Sequence, residues 1–65
     1  MRQWLKTKRV VKKLSQKEIA KMSEISANHY CYIENGERNP SVSVAKKIAK
    51  TMGFEWTKFY DQDSA

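Results

Sequence analysis

A chain of 65 residues with 13 Lys and Arg against 7 Asp and Glu has a formal charge of +6, which fits one domain near the lower size limit for an unstapled core. A single cysteine excludes an internal disulfide and fits a reducing cytosol, and no His and Cys set has zinc-finger spacing. No apolar run can span a bilayer and the N-terminus lacks the apolar core of a signal peptide, so a cytoplasmic protein without a membrane partner is expected.

The first helix is expected over residues 2–13. Trp4, Leu5, Val10 and Val11 form a loose apolar stripe, and the other faces are basic. Arg2, Lys6, Lys8, Arg9, Lys12 and Lys13 all precede the first acid, Glu18, while Glu55, Asp61 and Asp63 collect at the other end. Such one-sided charge suggests a polyanionic partner, the alternative being a solvated helix face.

Leu14 ends this helix and Ser15 starts the second. Ser15 and Glu18 have the spacing of a capping box. Ile19 and Ala20 point inward, and the helix stops near Ser23. Glu24 and Ile25 make a tight turn, with Ile25 as a buried plug. Ser26 caps a third helix over residues 27–34, in which Tyr30 and Ile33 share one face.

Gly36, after Asn35, ends it in the left-handed conformation. Pro40 precedes a fourth helix over residues 41–52, where Val44, Ala45, Ile48, Ala49 and Met52 recur at three and four. Lys46, Lys47 and Lys50 take its solvent side. After Gly53, Phe54-Glu-Trp-Thr-Lys-Phe-Tyr60 supplies a final aromatic turn, and residues 61–65 form a frayed tail. No segment alternates, so the fold class is all-α: five short helices in one domain, 1–65, with a helix-turn-helix over about residues 15–35.

Two helices crossing steeply over a short turn can lay the second in the major groove of DNA. If Tyr30 and Ile33 are inside, then at about 100° per residue Asn28 and Tyr32 are outside, flanked by Ala27 and Cys31. These four are the candidates to meet base edges. An Asn amide can accept from adenine N6 and donate to N7, and Tyr32 suits a thymine methyl or a phosphate. An ordinary exposed face that carries Asn and Tyr is the alternative.

His29, at the margin, is within reach of a phosphate. Gln16 sits just inside the second helix, where leading amides attract phosphate. Lys17 and Ser26 join it as backbone contacts, and Asn35 and Arg38, in the loop after the third helix, hold the strand on the other side.

Catalysis is not expected, since the carboxylates are scattered and neither a Ser/His/Asp set nor a Gly-rich phosphate loop appears. No metal, cofactor or small-molecule ligand is implied: His29 and Cys31, two apart on a helix, point to different sides. A redox-sensing role for Cys31 would need an accessible, electropositive setting.

Several linked segments then carry a resemblance: Leu14-Ser-Gln-Lys-Glu-Ile-Ala, Ile25-Ser, Ile33-Glu-Asn-Gly-Glu-Arg-Asn-Pro-Ser41, Ala45-Lys-Lys-Ile-Ala49 and Met52-Gly53. Together they resemble the Cro and phage-repressor (XRE-like) helix-turn-helix regulators, which have a five-helix lambda-repressor-like fold. The similarity covers about residues 14–60 and, more loosely, the first helix. The ending, Phe54 to Tyr60, is similar to short stand-alone members of Gram-positive bacteria and their mobile elements.

The resemblance implies a sequence-specific double-stranded DNA-binding regulator of transcription, a repressor that binds a palindromic operator as a homodimer. The aromatic C-terminal segment is the candidate dimer surface. An antitoxin-like or adaptor module for protein interaction is the alternative on the same fold. The family's phosphate-clamping glutamine falls on Gln16 and its base-reading positions on Ala27, Asn28 and Tyr32. Its arginine–glutamate tie between the first and recognition helices falls on Arg9 and Glu34. Two positions depart from the family pattern: Glu24 stands where glycine is usual, and Ser23 where leucine or valine is usual, with Met22 expected to take over part of that packing.

Overall fold

Hydroxyl side chains start three of the helices. Ser15, Ser26 and Ser41 are extended, and each accepts from the amide three residues on, that of Glu18, His29 or Val44. The capping box at Ser15 is complete, because the Glu18 carboxylate accepts from the Ser15 amide at 2.8 Å. The computed structural model describes residues 1–61, as α1 (Gln3–Val11), α2 (Gln16–Met22), α3 (Ala27–Asn35), α4 (Val42–Met52) and α5 (Lys58–Asp61). No strand occurs among the described residues.

One device ends α1 to α4. Lys13, Glu24, Gly36 and Gly53 have φ of 59°, 61°, 82° and 79°. The next amide in each case, that of Leu14, Ile25, Glu37 or Phe54, donates back to Arg9, Ala20, Tyr32 or Ala49. These are left-handed caps that satisfy otherwise orphaned carbonyls. At Lys13 and Glu24 the conformation crowds a Cβ and costs roughly 1–2 kcal/mol each.

Leu5, Ile19, Ala20, Tyr30, Ile33, Ala45, Ile48, Met52 and Phe59 form one buried cluster to which all five helices contribute. Burying each large aliphatic side chain contributes about 1.5–3 kcal/mol. Trp4 meets Phe54 and Phe59 edge-on, with centroids 5.2 and 5.3 Å apart, so the aromatic ending locks α1 onto the end of the chain. No helix among the described residues is long and apolar enough to cross a membrane.

Five expectations need correction. α1 stops at Val11, because Lys13 has already turned left-handed. Val10 and Val11 are exposed, at 54% and 74%, since α1 buries Leu5 and the position one turn on is Arg9. Met22 does not replace the missing apolar residue at 23: it is 56% exposed while Ser23 is fully buried. Ser23 stands three and four residues after Ala20 and Ile19, in the middle of the buried stripe, whereas Met22 is turned away from it. Ile25 is only half-buried, although it packs on the core. Asp61 closes α5 rather than opening a tail, and residues 62–65 lie outside the described residues.

Candidate nucleic-acid interface

α2 and α3 meet across Ser23, Glu24 and Ile25. The left-handed Glu24 turns the chain, and its carboxylate pairs with Lys47 of α4 at 3.1 Å on the surface. An exposed pair contributes about 0–1 kcal/mol, so the α3 packing, not this pair, holds the turn. Tyr30, Ile33 and Glu34 are buried on the inner side of α3. Ala27, Asn28 and Tyr32 are exposed, and Cys31 and His29 are half-buried.

Glu34 fixes the inner side. Its carboxylate is 1% exposed. It accepts from Arg9 Nε at 2.8 Å and Nη2 at 3.1 Å, from Gln16 Nε2 at 3.0 Å and from the Tyr30 hydroxyl at 2.8 Å. A forked contact with two further donors is what a buried carboxylate requires. Arg9 also donates through Nη1 to the Leu14 carbonyl at 2.8 Å, tying α1 to the start of α2.

Burial pushes the Glu34 carboxyl up, yet the hydrogen bonds from Arg9, Gln16 and Tyr30 outweigh it and hold the group below its ordinary range. The bond to Glu34 raises the Arg9 guanidinium. Burial, and then the bond to Glu34, push the Tyr30 hydroxyl far up. All three therefore keep their ordinary neutral-pH charge states.

The remaining expected contacts are distributed unevenly. Gln16 leads α2, but its amide is turned inward to Glu34. Lys17 is exposed, and shares the outer side of α2 with Lys21. Ser26 is engaged as the α3 cap. Asn35 is the last residue of α3 rather than part of the loop, and its Nδ2 reaches Cys31 Sγ at 3.5 Å. The loop proper holds Arg38, whose guanidinium lies 5.6 Å from the centre of the Tyr32 ring. One edge thus carries Asn28, Tyr32, Cys31 and Asn35, with Arg38 stacked at its end.

Among the described residues no group of three His, Cys, Asp or Glu side chains could hold a metal. An open groove of about 340 Å³ lies away from this edge, lined by Thr7, Lys8, Val11, Lys12 and Met52.

Two partners escape a reading of the sequence. The Tyr30 hydroxyl is a member of the Glu34 network, for which the (i, i+4) spacing on one helix was a usable signal. Arg2 contacts the end of α3 from 31 or more residues away, and no local pattern announces it.

The family model described as Helix-turn-helix matches residues 5–59. The chain is 49% identical over 61 residues to an uncharacterized HTH-type transcriptional regulator, YqaF, of Bacillus subtilis (strain 168), covering 94% of this chain and 80% of that protein. No solved structure matches the chain.

Proposed function

The chain belongs to the helix-turn-helix family, and we propose that it is a DNA-binding transcriptional regulator, a repressor that holds a palindromic double-stranded operator as a homodimer. The observation that carries this reading is the two-sided α3: Tyr30, Ile33 and Glu34 are buried and bonded inside, while Ala27, Asn28 and Tyr32 are exposed outside. A helix whose inner side is fixed in this way can present side chains to base edges without having to order its backbone on binding.

In this reading Ala27, Asn28, Cys31 and Tyr32 face bases. Gln16, Lys17, Ser26, His29, Asn35 and Arg38 face phosphates. Gln16 keeps a second amide hydrogen for a phosphate beyond the one given to Glu34. Trp56 and Tyr60 pair edge-on at 6.0 Å beside the cluster. With Val42 and Tyr60 exposed at 49% and 40%, this side is the proposed dimer surface.

Selection from a pool of random duplexes, followed by footprinting, tests the reading. The expected product is an inverted repeat whose half-sites lie about 34 Å apart on one face of the DNA. If a dimer neutralises about eight phosphates, the log–log salt dependence has a slope of about −7. Sedimentation at micromolar protein should give a dimer on the selected duplex, and a reporter carrying that site over its promoter should be silenced. A pool with no enriched sequence, together with a stoichiometric protein partner in pull-downs, would replace this reading by the interaction-module one.

A further inference from the structure

The C-terminal end of α3 is held by more than its own cap. Gly36 turns the chain, and the amides of Glu37 and Arg38 fold back onto the Tyr32 carbonyl at 2.9 and 3.2 Å. The start of the chain then reaches across. The backbone amide of Arg2 donates to the Glu34 carbonyl at 2.8 Å. Its Nη1 donates to the carbonyls of Ile33 and, at 3.0 Å, Arg38, and its Nη2 donates to Asn39 Oδ1. The Phe59 ring lies 5.6 Å from the guanidinium, so this arm rests on the core.

A cation with several donors suits this place. The last carbonyls of a helix carry partial negative charge, and a planar guanidinium can engage several acceptors at once where an ammonium presents a single point. The loop it grips carries Arg38, which stacks on Tyr32. Arg38 is thereby held by its amide to α3, by its carbonyl to Arg2, and by its side chain to the outward edge.

We propose that Arg2 is a positioning residue for DNA binding: braced on Phe59 and clamped to the end of α3, it sets Arg38 against Tyr32 before DNA arrives. This rests on the DNA-binding reading above. Losing Arg2 leaves every proposed DNA contact in the sequence but releases the loop that aims one of them.

A double-mutant cycle on the full chain tests it. The probes are the duplex enriched by the wild-type protein and a duplex of random sequence, with binding measured well below every variant's melting transition. Arg38→Ala alone should weaken binding to the enriched duplex about tenfold, whereas in an Arg2→Ala background it should cost under about threefold. Arg2→Lys should fall between wild type and Arg2→Ala.

In the free protein, exchange of the Glu37 and Arg38 amides should quicken about tenfold in Arg2→Ala while α4 amides keep their rates, which loss of global stability alone would not produce. Should Arg2→Ala fail to fold, Arg2→Lys carries the same cycle. Equal Arg38→Ala factors in both backgrounds, or wild-type affinity without Arg2, would overturn the inference alone. A wild-type chain that binds neither duplex overturns the DNA-binding reading, and this inference with it.

Discussion

Replacing Arg9 by methionine removes one side of the Glu34 network while keeping most of the side-chain stem. Three hydrogen bonds vanish: two to the Glu34 carboxylate and one to the Leu14 carbonyl. The carboxylate, 1% exposed, keeps only Gln16 and the Tyr30 hydroxyl. Breaking a buried pair from one side costs about 3–5 kcal/mol. The two remaining donors, and the 13% exposure of Arg9, place the cost at the low end, about 3 kcal/mol. A domain of this length has roughly 3–10 kcal/mol in total. The melting temperature should therefore drop by about 12–24 °C at neutral pH, read by far-ultraviolet circular dichroism.

Acid supplies the control. In the wild-type protein the folded Glu34 carboxyl titrates below its ordinary 4.5, so its stabilisation is present above that value and is lost as pH falls through the folded one. Without Arg9 the burial penalty is opposed only by Gln16 and Tyr30, and the folded group should titrate higher than in the wild type. The wild type therefore loses more of its stability than the variant as pH falls, and the variant's deficit shrinks on acidification to about pH 4. A melting temperature within about 5 °C of wild type at neutral pH, or a deficit that stays constant on acidification, would refute the account of Glu34 as a charge held by Arg9.

Other outcomes follow from single residues. Asn28→Ala should weaken binding to the selected duplex by about 1–3 kcal/mol and leave random DNA nearly unchanged in titrations, and equal losses would show that Asn28 does not read bases. The Ser23 hydroxyl is buried with no hydrogen-bond partner. Ser23→Ala should therefore raise stability by about 1 kcal/mol in urea melts, and a lower midpoint would contradict the unpaired burial. At Gly36 a Cβ has room, its nearest neighbour being the Met1 nitrogen at 3.5 Å, but φ is +82°. Gly36→Ala should cost about 1–2 kcal/mol in the same melts, from backbone strain alone.

The helices were legible where their bonds are local. Serine caps act over three residues and left-handed caps over five, so Ser15, Ser26 and Gly36 could be read one window at a time. Apolar spacing placed Tyr30 and Ile33 inside, and Asn28 and Tyr32 outside, for the same reason. The pairing of Arg9 with Glu34 was legible only through family likeness, since nothing within either helix requires it.

Tertiary structure decided what the windows could not hold. Whether Ser23 or Met22 faces the core, whether Val10 and Val11 are covered, and whether the Gln16 amide looks outward or toward Glu34 all depend on which neighbour occupies the adjoining space. Arg2 is the extreme case, because its acceptors lie 31 to 37 residues along the chain. Sequence by itself determined the order of the helices and the two sides of α3, through bonds that close within a turn or two. The tertiary structure decided which long side chains reach across, because that choice is made by packing at a distance and not by any local period.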